Sequence, residues 1–169
     1  VEMIRKIKSY MNFGLGMREL ADYAFFDEQF LQMLGWDPGI TVSVTSPVSE
    51  NWKRLVTTLI PNMLKAIFDN NGVQKKMRFF EWDRVWMQQK NNVVVESKKM
   101  TGILFDADSK EDFYDGKDAL ENFCIAMGYQ VSWHPVAHTV LIEQNIPWFE
   151  PYQVAYLMKN GKNIGFAGV

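Results

Sequence analysis

Cysteine is nearly absent from this chain. Cys124 is the only one, so no internal disulfide can form, and a reducing, cytoplasmic setting is expected. Long apolar runs are missing too. Nothing approaches the roughly 20 consecutive apolar residues of a membrane-spanning helix, and the first residues show no signal-peptide pattern, so no membrane partner is expected. Positive charge is not in surplus. Eighteen Lys and Arg against 20 Asp and Glu leave a net charge of −2 and a pI near 5.7. A dedicated nucleic-acid module usually carries a basic face, and this balance argues against one while leaving room for a local RNA contact. There are no internal repeats, low-complexity tracts or linker-like stretches.

What is present is ordinary globular material. Of the 169 residues, 47% are hydrophobic and 22% charged, enough to bury a sizeable core without staples. Aromatics reach 14% with six Trp, which suits a large core or an added protein interface. The chain opens inside a helical pattern and closes inside a strand pattern, so it reads as one domain, 1–169, cut from a longer polypeptide at both ends.

Periodicity orders the elements. Met3, Ile4, Ile7, Tyr10 and Met11 recur at helical spacing, and Gly14 and Gly16 end that helix. Residues 18–26 alternate with both faces apolar, which predicts a covered strand. Asp27 can cap a short helix that Gly35 stops, and 40–44 is short and β-branched. The strongest helix carries Ile60, Met63, Leu64, Ile67 and Phe68 on one stripe, with Thr58 as N-cap and Pro61 in the first turn. Strands are predicted at 79–86, at 99–105 with Gly102 inside, at 129–133 and at 139–142. Asp115 or its neighbours can start a helix whose buried face is Ala119, Leu120, Phe123, Cys124 and Met127. Asn160-Gly161 joins 154–158 to 163–167 as a two-residue hairpin. The fold class that follows is α+β, a mostly antiparallel sheet with flanking helices.

The residues by themselves show no catalytic set. His134 and His138 are four apart, but Pro135 breaks any helix there and a metal needs about two more ligands. Asp106, Asp108, Asp112 and Asp115 suggest a calcium loop at first sight. Lys110 and Glu111 occupy positions that need an oxygen ligand and glycine, so the segment is better read as solvated loop and helix cap. Cys124 lies on an apolar stripe with no local base, as a core residue would. Gly165 and Gly168 have no helix after them and make a poor phosphate cradle. Lys75, Lys76 and Arg78, with Lys98 and Lys99, could touch RNA phosphates, although a solvated strand edge explains them as well.

Four short motifs, in order along most of the chain, resemble the β subunits of bacterial phenylalanyl-tRNA synthetases. Ser46-Pro47-Val48-Ser49 followed by Thr57-Thr58-Leu59-Ile60-Pro61 is similar to Asn-Pro-Leu-Ser … Thr-Ser-Leu-Leu-Pro, with Val56 at an Arg position and Asn62 at a Gly position. Phe80-Glu81-Trp82-Asp83-Arg84-Val85-Trp86 resembles Phe-Glu-Ile-Gly-Arg-Val-Phe, with Asp83 departing from Gly. Residues 112–117, Asp-Phe-Tyr-Asp-Gly-Lys, are similar to Asp-Phe-Phe-Asp-Leu-Lys. Pro151, Ala155 and the stretch Ile164 to Gly168 resemble the family's ending.

The resemblance implies a class II synthetase-like catalytic core that has lost its chemistry. It serves as scaffold for the catalytic α subunit in an assembly of two α and two β chains that charges tRNA with phenylalanine, using ATP and Mg²⁺. In class II enzymes the strand resembling 80–86 runs into Arg-x-Glu, whose Arg holds ATP phosphate. Here those positions are Met87 and Gln89, and a thioether cannot replace a guanidinium fork. The third class II motif, with its second Arg, and the magnesium-related acids lie outside this stretch, so no catalytic residue, cofactor or metal site is expected in it. Class II folds place their early helix at a subunit interface, which marks Met3, Ile4, Ile7, Tyr10 and Met11 as candidates. An active adenylating enzyme with unusual phosphate ligands, and a tRNA-contacting module, are the competing readings.

Overall fold

The computed structural model describes residues 2–108, 112–137, 146–150 and 152–169. Contacts divide them into two compact units: 1–17 with 106–169, and 18–105.

The second unit is built on a three-stranded sheet of order β1 (Arg18–Glu19), β2 (Lys76–Gln88) and β3 (Val94–Asp106). β1 runs parallel to β2, with Arg18 opposite Phe79 and Glu19 opposite Phe80. The connection between β2 and β3 is far too short for a parallel crossover, so that pair is an antiparallel hairpin. Its turn takes Asn91 and Asn92 into the left-handed region at φ 71° and 61°. Both strands outrun the apolar stretches that predict them, because hydrogen bonds between the two continue after the core ends.

Helix α2 (Glu28–Leu34) and helix α3 (Ile60–Asn70) pack together. Asp27 caps α2 as expected, accepting from the Phe30 N–H at 3.0 Å, and Gly35 closes it at φ 63°. The α3 N-cap is Leu59 rather than Thr58. Met63 N–H already donates to the Leu59 carbonyl, while Thr58 Oγ1 lies 3.5 Å from Ile60 N. The α3 stripe is only partly buried, since Phe68 is 59% exposed although its ring meets Phe30 at 5.8 Å. Two apolar clusters result. One joins Phe26, Leu31, Val56, Leu59 and Val85; the other joins Met63, Ile67, Met77 and Phe79.

Two predicted strands are corrected. Only Arg18 and Glu19 of 18–26 form a strand, and 40–44 contributes a single bridge, Ser43 to Arg54. In both segments the backbone bonds to the short stretch 53–56 through isolated bridges instead of one continuous ladder. Phe26 N–H donates to Arg54 O, Val56 N–H to Ala24 O and Leu55 N–H to Val42 O. Arg54 secures this irregular region by a bidentate pair with Glu28 (2.8 and 2.7 Å) and a bond to Asp37 (2.9 Å). That bond also holds the Asp37 carboxyl below its usual range.

The first unit contains α1 (Glu2–Ser9), which widens into a π-helical turn at Tyr10–Gly14, α4 (Phe113–Ala126), and an antiparallel sheet of order β4 (Ser132–Pro135), β5 (Val154–Lys159) and β6 (Lys162–Gly168). β4 begins three residues later than the strand predicted at 129. The hairpin turn at Asn160 and Gly161 has φ 50° and 73°, the geometry that Asn-Gly supplies. Gly168 is required by a close approach: a Cβ there would lie 2.7 Å from Phe149 Cδ1. The strand predicted at 139–142 falls outside the described residues.

Asp112 is the α4 N-cap, with Asp115 in the first turn. Asp112 Oδ1 accepts from Tyr114 and Asp115 N–H, and Asp115 Oδ2 accepts from Asp112 N–H at 2.8 Å, a reciprocal capping box. Asp112→Ala is expected to cost about 1 kcal/mol, read as a lower urea midpoint with an unchanged slope.

Candidate functional site

β2 is the strand on which the sequence resemblance centres, so the site is built from it. Side chains alternate along a strand, and Met77, Phe79, Glu81, Asp83 and Val85 share one face. Met77 and Phe79 belong to one apolar cluster and Val85 to the other. Glu81 lies between Phe79 and Val85 along that face and is 2% exposed. Its Oε1 accepts from Asp22 N–H at 2.9 Å, and its Oε2 is buried with no hydrogen-bond partner. Burial chiefly, with the negative charges of Asp22 and Asp83 adding to it, pushes this carboxyl up to about 7. Asp22 is raised as well, mainly by burial.

Opposite Glu81, α3 contributes Asn62, 4% exposed. Its Nδ2 donates to the carbonyls of Tyr23 (2.9 Å) and Phe25 (3.0 Å). Segment 22–25 is therefore clasped between Glu81 and Asn62. Sequence reasoning did not single out this trio. The available signal was a Glu between Phe80 and Trp82 in an apolar strand, together with an Asn where the resembling pattern has Gly. Val56, at an Arg position of that pattern, is 1% exposed inside the first cluster, a place where an aliphatic side chain packs and a guanidinium would be buried.

At its far end β2 delivers the two positions expected to have lost their chemistry. Met87 is 54% exposed and Gln89 is exposed. Gln88 Nε2 donates to Asn92 Oδ1 at 2.9 Å, and Gln89 N–H donates to Val93 O at 2.7 Å. The polar groups here are spent on closing the turn. A thioether and a neutral amide stand at the two positions and do not fit a triphosphate.

The other candidates are placed as follows. Ile7 and Met11 are buried at 8% and 4%, Ile4 and Tyr10 are partly buried, and Met3 is 50% exposed. Tyr10 meets the Phe123 ring at 6.2 Å. Lys75, Lys76 and Arg78 are exposed at the start of β2. Arg84 pairs with Glu96 at 2.8 Å, which places Lys98 and Lys99 beside the middle of β2, roughly 13 Å along the strand from Arg78. His134 is exposed on β4, while His138, Lys110 and Glu111 lie outside the described residues. Among the described residues no cluster of three His, Cys, Asp or Glu could hold a metal, and no helix is long and apolar enough to cross a membrane. Cys124 is buried, and burial first, then Glu121, pushes its thiol up.

Comparison with known proteins now bears on this geometry. The phenylalanyl tRNA synthetase beta chain CLM domain family matches residues 1–169. Phenylalanine–tRNA ligase beta subunits are similar to the chain over most of its length. That of Hahella chejuensis is 25% identical over 98% of this chain and 21% of its own length, and that of Neisseria meningitidis serogroup B is 28% identical over 90% and 19%. The Thermococcus gammatolerans subunit is 24% identical over 96% and 27%. The chain thus spans about a fifth to a quarter of these relatives. In structure it resembles pyrrolysyl tRNA synthetase from Desulfitobacterium hafniense, with a TM-score of 0.70 at 14% identity over 96% of this chain and 55% of that one, which shows the α+β fold of a class II synthetase core. On the full-length family match, with the fold in agreement, this chain belongs to the phenylalanyl-tRNA synthetase β-chain CLM domain family.

Proposed function

We propose that this chain is a non-catalytic assembly domain: a class II-like core, acting as one domain over residues 1–169, that supports a catalytic α subunit in attaching phenylalanine to tRNA. The observation that carries the reading is the end of β2, where Met87 and Gln89 occupy the positions of a phosphate-binding Arg and its acidic partner. A transition-state contact of that kind is worth on the order of 3–4 kcal/mol, and a thioether supplies none of it. ATP and Mg²⁺ then belong to the α subunit, in a cytoplasmic assembly of two α and two β chains that also holds the tRNA.

The test is co-purification with the α subunit of the same genome, followed by mass determination. A stoichiometric complex is expected. Ile7 and Met11 are poor probes of that contact because both are buried in this chain, and Asp at either position would damage the fold. Met3→Asp alters an exposed residue on the same helix and is expected to lower recovery of the complex several-fold. A well-folded chain that recovers no α subunit removes the assembly role, and pyrophosphate exchange by the chain alone would restore an enzymatic one.

A further inference from the structure

We propose that segment Ala21–Tyr23 is a proton-controlled strap: neutral Glu81 holds it against β2, and ionised Glu81 releases it. The strap follows a strand of only two residues, Arg18–Glu19. Its ends are fixed by Leu20 N–H to Phe80 O at 2.8 Å and by Phe26 N–H to Arg54 O at 2.9 Å. Between them the centre hangs on Asp22 N–H to Glu81 Oε1, with Asn62 Nδ2 on the Tyr23 carbonyl. Glu81 Oε2 is buried and unpartnered, a position that suits a protonated carboxyl and penalises a charged one.

The Asp22 N–H itself favours the ionised carboxyl, but burial outweighs it and the neighbouring acids oppose it. From the strap comes Asp22. From β2 itself comes Asp83, exposed. From α3, Lys65 reaches Asp69 (2.6 Å) and Asp27 (3.8 Å), and its charge acts on Asp22. Arg18 and Glu19 on β1, and Lys98 and Lys99 on β3, are exposed. Two acids adjoin the carboxyl, and both of their charges raise it. Above neutral pH the least costly relief is to admit water to Oε2, and the strap is the smallest element whose displacement does so. Lifting it also parts Tyr23, 70% exposed, from the Trp52 ring now 5.3 Å away.

Hydrogen exchange of the intact protein, followed on peptides covering 20–26 and corrected for intrinsic rates, tests this. Glu81 titrates near 7 when buried and near 4.5 when released, so protection of Asp22 and Tyr23 is expected to fall about tenfold between pH 6 and pH 8. Glu81→Gln should leave protection level across that range. Asp22→Asn removes one adjoining charge on a half-exposed residue and should make the fall smaller, which keeps the test decisive even where Glu81→Gln does not fold. Wild-type protection that is equal at both pH values, or an undiminished fall in Glu81→Gln or Asp22→Asn, overturns the proposal.

Discussion

Phe26→Ala is expected to cost about 3–5 kcal/mol, a large share of the 5–15 kcal/mol that holds an ordinary domain together. Phe26 is 0% exposed and stands edge-on to the Trp36 ring, with centroids 5.7 Å apart. It sits where Leu31 of α2, Leu59 before α3 and Val85 of β2 converge. Truncation removes apolar contact from all of them and leaves a cavity that three separate elements cannot all close. Phe68→Ala is the control: it deletes the same group from a helix, but the side chain is 59% exposed, and the loss should stay below about 1 kcal/mol. Urea midpoints of the two variants measure the contrast. Equal losses would mean that the Phe26 cluster is not the centre of this unit.

The second large effect is a dependence on pH. The Glu81 carboxyl is raised from 4.5 to about 7 in the folded chain, so the folded state holds this proton more tightly than the unfolded one. Its contribution is fully present below about pH 4.5, is lost as pH rises through about 7, and is level from about pH 8. The gap corresponds to about 3 kcal/mol. Urea midpoints at pH 5, 6, 7 and 8 should fall along the series in the wild type and fall much less in Glu81→Gln. Movement of the strap makes the slope shallower, because an opened Oε2 meets water, so the measured slope reports how far the segment yields. The same slope in wild type and Glu81→Gln would assign the dependence to other groups.

Legibility followed the range of the interactions. Local signals were readable: Asp27 and Gly35 bound α2, and Asn160-Gly161 turns the last hairpin, because each acts on its own neighbours. The identities of Met87 and Gln89, on which the proposed loss of chemistry rests, were readable for the same reason. The strands predicted at 18–26 and 40–44 were not. Alternating apolar residues fit a strand, but partners from distant segments, Arg54, Val56 and Asn62 among them, claimed the backbone groups instead.

The sequence by itself determined the family and the α+β class, because these depend on residue identity and order. Only the tertiary structure decided that Ile7 and Met11 are buried in the chain, and that Glu81 is buried on β2 under the Asp22 N–H. The physical reason is that burial and electrostatic environment are properties of what surrounds a group. For Glu81 those surroundings come from residues 59 positions away in sequence, and no local pattern encodes that meeting.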